Sequence, residues 1–383
     1  MIRHRRLSIF LQLLLISIMF SLFACKTTDE ILAPKVEVGK GFLTVLPLDA
    51  DNFFLFVNLG HMSNPGHTFP SDHGGFYLTD YMTPVPVLCP ADMIITRLVE
   101  SEHVNYGYTD YAMTLAVNQG EFQIVIGHLS GFHETILQKA EAFSDRECET
   151  YTTSGDTFKN CLLWTEIPVS AGDTLGKAGG NPGQFGLDFG TFDKTKRIEF
   201  ATDRFDDYLY PHTVSPLDYF TEEINQILIP RCGDSFCRGV PTVRTKPPVG
   251  GTVDYDVAGT AQGLWFKMGE PLFPEDPHIA LVYHNVDPDV PIFSVGTSLT
   301  GLNTGPYTFA IKDTGYVDRR FDEVKPDGFI YRYNVWYHCS TSPDMRAVLL
   351  LELIDESHIK VEKQDESSGP PWLFTENAVL YDR

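Results

Sequence analysis

The sequence predicts a mainly β protein with two β-rich parts. On both sides of residues 238–252, apolar residues occur in short runs that turn residues interrupt, which is the pattern of strands. The chain has 31 glycines, 25 prolines and 13% aromatic residues, a composition too apolar for a disordered protein. Segments with a helical period are scarce. We therefore expect sandwich or barrel architecture in both parts.

Individual elements follow from the same pattern. Strand candidates in the first part are residues 53–59, 93–99, 111–117 and 122–126. Those in the second part are residues 278–283, 292–295, 307–311 and 329–337, with a hairpin formed by 347–354 and 358–362. The best helix candidates are residues 134–143 and 216–228.

The composition also predicts domain boundaries. Residues 238–252 contain three prolines and three glycines without an apolar period, which is typical of a linker. The predicted order is a signal peptide at 1–24, a tether at 25–40, a β domain at 41–237, the linker at 238–252 and an accessory β domain at 253–383.

The N-terminal segment has the features of a secretory signal. Three arginines within the first six residues precede an apolar stretch at 7–23. Its end, Leu22-Phe23-Ala24-Cys25, resembles the lipobox of bacterial lipoproteins. This resemblance implies export, cleavage before Cys25 and anchoring to a membrane by lipid on that cysteine. Lys26 resembles the sorting pattern of outer-membrane lipoproteins. A transmembrane anchor with a chance cysteine is the alternative.

The charge of the chain restricts its partners. The formal net charge is −22, and removal of the three arginines with residues 1–24 would make it −25. A protein this acidic is not expected to bind nucleic acid or an anionic lipid surface through bulk electrostatics.

The cysteines predict disulfides, since six remain after Cys25 in a compartment that permits oxidation. Two pairs are close in sequence and bracket turn-like segments: Cys148 with Cys161, and Cys232 with Cys237. The pairing of Cys89 and Cys339 stays open at this point.

Four motifs in the first part carry the functional signal. They are the segment Gly66-His67-Thr68-Phe69-Pro70-Ser71-Asp72-His73, a strand pair that turns at Cys89-Pro90-Ala91-Asp92, the strand end Gly127-His128-Leu129-Ser130, and the hairpin Gly172-Asp173-Thr174-Leu175-Gly176. Their order resembles the lysostaphin-type zinc endopeptidases that cut peptidoglycan cross-bridges, over about residues 60–195. The resemblance implies a lysostaphin-peptidase-like β-sandwich with a duplicated hybrid motif, and a groove for an extended peptide.

The catalytic positions of that family are only partly matched. His73 corresponds to the first zinc ligand and His128 to a histidine that stabilises the transition state. Tyr77 stands where the family has an aspartate ligand, and Gly186 and Asp188 stand in place of its final His-x-His pair. A catalytic zinc ion requires three protein ligands and an open position for water.

A rearranged zinc site is one interpretation of these departures. Asp188 is an acceptable zinc ligand, and His67 or Asp72 could replace the ligand lost at Tyr77. The other interpretation is a rigid loop at 67–73 whose side chains bond to the backbone, with no cofactor.

Three functions remain open at the sequence level. The first is a cell-envelope lipoprotein with a degenerate peptidase-like domain that binds peptidoglycan or an envelope protein. The second is an active zinc endopeptidase with His73, Asp188 and either His67 or Asp72 on the metal and His128 as the catalytic group. The third is a purely structural lipoprotein. The second part is expected to be an accessory module for binding or packing.

Overall fold

One large mixed sheet forms the first part of the fold. The structure, a computed structural model, describes residues 35–153, 155–181, 184–235, 239–340, 346–365 and 369–383. The predicted signal peptide, Cys25 and Cys237 lie outside these residues. The strands of the sheet are β1 Phe53–Val57, β2 His73–Leu78, β3 Val85–Leu88, β4 Met93–His103, β5 Tyr108–Val117, β6 Phe122–Phe132, β7 Arg146–Thr153, β8 Asp156–Val169, β9 Thr174–Ala178, β10 Gly186–Asp193, β11 Cys232–Asp234 and β12 Thr242–Val243.

The strand order places the functional motifs at the centre of the sheet. It runs β12-β11-β1-β2-β10-β6-β5-β4-β8-β7, and β9 pairs with both β3 and β6. Alternating residues of β6, Phe122, Ile124 and Ile126, are fully buried, which explains the strong strand signal there. The mainly β fold class is confirmed.

Strand β6 changes partners along its length. Residues up to Gly127 pair with β10, and residues from Leu129 pair with β9. Between them, β6 has one more residue than β5 in the same stretch, which is a β-bulge. His128 lies at this bulge with a φ of 59°. The fold therefore imposes a left-handed backbone on a non-glycine residue at a strand junction.

The second part is a closed eight-stranded barrel, in agreement with the expectation of a sandwich or barrel. Its strands are β13 Gly263–Lys267, β14 Ile279–Tyr283, β15 Pro291–Val295, β16 Gly305–Thr308, β17 Tyr331–Tyr337, β18 Arg346–Asp355, β19 His358–Gln364 and β20 Val379–Asp382. Large side chains such as Trp265, Tyr333 and Tyr381 are fully buried in its core. A barrel of eight strands has room for side chains inside, and these residues fill it.

The helices are short. Helix α1 spans Glu134–Ala140 and α2 spans Glu222–Leu228; 3₁₀ turns occupy Asn118–Gly120, Tyr210–His212, Pro216–Asp218, Ile229–Arg231 and Phe321–Glu323. Both helix predictions are thus confirmed with shorter bounds. The second prediction divides because the side chain of Thr221 caps α2, which separates it from the turn at Pro216. No helix among the described residues is long and apolar enough to cross a membrane.

The two parts share an apolar cluster. Met62, Phe69 and Phe205 of the first part pack with Leu264 and Phe266 of the barrel. The segment predicted as a linker is mostly exposed over residues 239–248, but it is anchored at buried positions such as Arg244, Gly250 and Gly251. Arg244 is only 2% exposed there, and its guanidinium donates to the carbonyls of Lys246, Pro247 and Asn285. The bond to Asn285 ties the segment to the barrel, and the bonds to Lys246 and Pro247 lie within the segment. A buried guanidinium needs such acceptors for its protons.

Of the two predicted disulfides, one is confirmed and the other is wrong. Cys148 and Cys161 form the predicted disulfide between the paired strands β7 and β8. The predicted pair of Cys232 with Cys237 is wrong, since Cys232 is a free thiol. Its strand pairing with β1 places it in the apolar core, where Sγ donates to the carbonyl of Val249. Cys89 is also a buried free thiol, whereas Cys339 is disulfide-bonded. Cys89 and Cys339 therefore do not pair.

Candidate functional site

A groove of about 650 Å³ lies over the centre of the large sheet. The imidazoles of His61, His67, His73 and His128 and the carboxylate of Asp188 line it. Its aromatic walls are Phe54, Tyr77, Tyr81, Tyr108 and Phe185. Four of the five sequence-predicted site residues thus face the same cavity, and the fifth, Asp72, supports it from behind.

His73 begins strand β2 and is anchored on both sides of its ring. Nδ1 lies 2.8 Å from Oδ1 of Asp72, and Nε2 lies 3.5 Å from Oδ2 of Asp188. Burial alone would lower the pKa of His73, but the two carboxylates outweigh it and raise the pKa to about 9. The imidazole is therefore positively charged at neutral pH.

His128 reaches the same carboxylate from the neighbouring side of the site. Its Nδ1 lies 2.6 Å from Oδ2 of Asp110, and its Nε2 lies 3.2 Å from Oδ2 of Asp188. Asp188 is the largest cause that raises the pKa of His128 to about 10. The bulge in β6 aims this side chain into the groove, so the strained backbone has a clear positional role.

Asp188 stands between two glycines on the adjacent strands. Its cross-strand partners are Gly75 on β2 and Gly127 on β6. A Cβ on Gly127 would lie 3.3 Å from Oδ2 of Asp188, and a Cβ on Gly75 would lie 2.7 Å from the carbonyl oxygen of Leu187. Small neighbours leave this carboxylate room, and its side chain is 36% exposed.

Asp72 and His67, the two candidates to replace the metal ligand lost at Tyr77, contact His73 in different ways. Asp72 bonds to Nδ1 of His73, on the side of the ring that faces away from Asp188, so it orients the histidine rather than joining Nε2. The ring of His67 meets that of His73 edge-on, with centroids 5.2 Å apart. Burial, with the neighbouring charge of His73, lowers the pKa of His67 to about 4, and this imidazole is neutral.

The loop that carries His67 and Asp72 is held by the barrel. Asn64 donates to Oγ of Ser294, and this hydroxyl donates to the carbonyl of Thr68 at 2.6 Å. The backbone N–H of Phe69 donates to Glu275 at 2.8 Å. Both Ser294 and Glu275 belong to the barrel, so the second part of the chain fixes one wall of the groove.

Sequence reasoning missed the residues behind His128. Asp110 also accepts from Gln184 at 2.7 Å and lies 3.9 Å from Nε2 of His103, whose Nδ1 lies 2.8 Å from Asp156. Asp110 first, and then Asp156, raise the pKa of His103. No local pattern marks these residues, because they come from three separate segments of the chain.

These contacts form one continuous array of carboxylates and imidazoles. In spatial order its members are Asp72, His73, Asp188, His128, Asp110, His103 and Asp156. We call this set the Asp–His array. Acids and imidazoles alternate along it, so each imidazole lies between two carboxylates.

The two remaining family positions, Tyr77 and Gly186, are cross-strand partners. A Cβ on Gly186 would lie 3.1 Å from Cδ1 of Tyr77, so the tyrosine ring covers the glycine. Burial, together with the carboxylates of Asp234 and Asp188, raises the pKa of Tyr77 well above its usual value. The phenol is therefore neutral and is a poor replacement for a carboxylate ligand.

The described residues do not supply an arranged metal site. Among residues 35–383, apart from the short gaps given above, no group of three His, Cys, Asp or Glu side chains is arranged to hold a metal ion. His73 and His128 each direct Nε2 at Asp188, but Asp72 lies behind the His73 ring. Asp72 is therefore not positioned to take the place of the ligand lost at Tyr77.

Comparisons with known proteins give no relative. No protein-family model, curated protein or solved structure matches this chain.

Proposed function

We propose that this chain is a lipid-anchored cell-envelope protein that binds an extended peptide of peptidoglycan in the groove and does not cleave it. The observation that carries this proposal is the packing of Tyr77 over Gly186. Where the resembled peptidases place a metal ligand and a catalytic histidine, this chain places a neutral aromatic ring and an empty Cα. With Tyr77 and Gly186 in these positions, this part of the groove would contact a ligand without catalysing its cleavage.

The walls of the groove support binding. Phe185 is 57% exposed and packs edge-on against Tyr81, with ring centroids 4.7 Å apart. Phe54 is 43% exposed, and its ring centroid lies 6.2 Å from that of Tyr77. Exposed aromatic side chains that converge on a concave surface are typical of a ligand site, since their burial on binding is favourable. The groove also favours binding over a purely structural role.

The envelope location rests on the N-terminal sequence. Lipid on Cys25 would hold the groove near the cell wall, where peptide bridges are abundant. Substitution Cys25→Ser in the full chain should release the protein from the membrane fraction and abolish incorporation of labelled palmitate. Unchanged membrane retention would instead favour the transmembrane anchor.

Binding is tested with the signal-free protein and purified, soluble peptidoglycan fragments. Phe185→Ala should weaken binding about tenfold, since an exposed aromatic contact contributes on the order of 1–2 kcal/mol. Trp164→Ala is the matched control, because Trp164 is 49% exposed on β8 outside the groove. Equal losses in the two variants would contradict a site in the groove.

Elemental analysis of the same preparations separates binding from hydrolysis. The proposal predicts substoichiometric zinc and intact fragments after incubation. Stoichiometric zinc that His73→Ala and Asp188→Ala both remove, with cleavage of the fragments, would replace this proposal with the zinc endopeptidase.

A further inference from the structure

We propose that the groove recognises a primary ammonium group on its ligand and that Asp188 is the residue that receives it. This inference rests on the proposed binding function and specifies its chemistry. It is carried by the charge balance of the Asp–His array, by the commitment of its N–H groups and by the walls around Asp188.

The charge balance of the array favours a cation. It contains four carboxylates and three imidazoles, so it is net negative even when every imidazole is protonated, and more negative when they are neutral. Among the described residues that line the groove, Asp188 is the only carboxylate and none is lysine or arginine. A cationic ligand would therefore meet the net negative array at Asp188, between the imidazoles of His73 and His128.

The hydrogen-bond donors of the array are already committed. His73 directs its two ring nitrogens at Asp72 and Asp188, and His128 directs its own at Asp110 and Asp188. No N–H of either ring is left for an anionic ligand. A ligand carboxylate placed against Asp188 would have to displace one of these contacts and would face the acids of the array.

Asp188 retains one acceptor for a ligand. Both histidines contact Oδ2, and among the described residues Oδ1 has no hydrogen-bond donor. The cross-strand neighbours Gly75 and Gly127 add no side chain over the carboxylate. An ammonium group, with three donors, can bond to Oδ1 while the histidine contacts remain.

The aromatic side chains of the groove also favour a positively charged ligand. Tyr77, Tyr81 and Phe185 line the same groove as Asp188, and the raised pKa of Tyr77 keeps its ring neutral. Aromatic faces attract cations through the ring quadrupole, most strongly in a partly desolvated groove. The combination of one open carboxylate with several rings therefore favours an amine over a neutral amide.

A matched pair of synthetic peptides tests the inference without altering the protein. The probe is a stem pentapeptide with a lysine at its third position, and its partner carries the same lysine acetylated on Nε. Calorimetric titration should show at least about tenfold weaker binding of the acetylated peptide, since acetylation removes the charge and two donors. Asp188→Asn should remove this difference, and Glu166→Gln, at an exposed position on β8 outside the groove, should preserve it.

The outcomes separate the two proposals. Equal affinity for both peptides in the wild-type protein would overturn ammonium recognition while leaving the groove as a peptide site. Binding of neither peptide, together with no binding of peptidoglycan fragments, would overturn the proposed function itself. A preference for the acetylated peptide would assign the opposite polarity to the site. Thermal melts of Asp188→Asn establish that any loss occurs in folded protein.

Discussion

The ring of Tyr77 lies directly over Gly186, its partner on the adjacent strand. A side chain at position 186 and a large ring at position 77 compete for the same space, because neighbouring strands bring directly opposed residues within contact distance. The two departures from the peptidase pattern are therefore one structural change.

Gly186→Ala should destabilise the protein by about 1–2 kcal/mol, because the new methyl group overpacks the site. It would lie 3.1 Å from Cδ1 of Tyr77 and 3.0 Å from the carbonyl oxygen of Phe76. In the Tyr77→Ala background the cost should fall, since only the backbone contact remains. Urea denaturation of the two single variants and the double variant measures the coupling. Strict additivity would show that the ring does not occupy this space.

The histidines of the groove should carry different charges near neutral pH. His73 and His128, with pKa values raised to about 9 and 10, should be protonated, while His67, with its pKa lowered to about 4, should be neutral. Nitrogen chemical shifts of the labelled imidazoles report this directly. Asp188→Asn should lower the pKa of His128, since Asp188 contributes most to its shift. An unchanged titration in that variant would contradict the contact.

These shifts also predict the direction of pH-dependent stability. A folded-state pKa above the unfolded value of 6.5 contributes stability that is complete below pH 6.5. That contribution should disappear as the pH rises through about 9 to 10.

Ser294→Ala should loosen the groove loop from the barrel. It removes a buried hydroxyl that accepts from Asn64 and donates to Thr68, which should cost about 1–2 kcal/mol and weaken ligand binding. Ser298→Ala is the control, because its hydroxyl bonds to Tyr381 within the barrel. We expect that variant to lose stability without losing affinity, as measured by urea denaturation and titration. Weaker binding in both variants would argue against a specific role of the loop contact.

Glu275 should make the attachment of the groove loop to the barrel sensitive to pH, because it accepts from the N–H of Phe69. Burial raises its pKa from 4.5 to about 8, and the nearby Asp72 adds to this shift. Its stabilising contribution is therefore complete below pH 4.5 and is lost as the pH rises through about 8. Glu275→Gln keeps an acceptor for the N–H of Phe69 and should flatten the stability curve over this interval. The same slope in the variant and the wild type would refute this assignment.

The free thiols should be inert in the folded protein. Cys89 and Cys232 are buried, and burial raises the pKa of each thiol to about 12, which suppresses the reactive thiolate. Iodoacetamide should label both positions only after unfolding, as peptide mass spectrometry can establish. Labelling of Cys232 in native protein would contradict its place in the core.

Much of the fold was accessible from the sequence. The alternation of apolar residues in β6 and the apolar runs of the barrel strands report burial on a local scale, and that local signal predicts strands. The adjacency of Asp72 and His73 and the turn-flanked pair of Cys148 and Cys161 are local as well. By contrast, Cys232 has a nearby cysteine in sequence, yet its pairing with β1 directs it into the core.

The functional site likewise has features that the local sequence predicts and features that depend on tertiary contacts. The sequence by itself determined which chemical groups are present: His67, His73, His128 and Asp188 in peptidase-like motifs. Only the tertiary structure decided that Asp110 orients His128, that the barrel holds the groove loop, and that Tyr77 fills the space over Gly186. The physical reason is that strand register, bulges and packing between distant segments set these contacts, and none of them leaves a periodic trace in the chain.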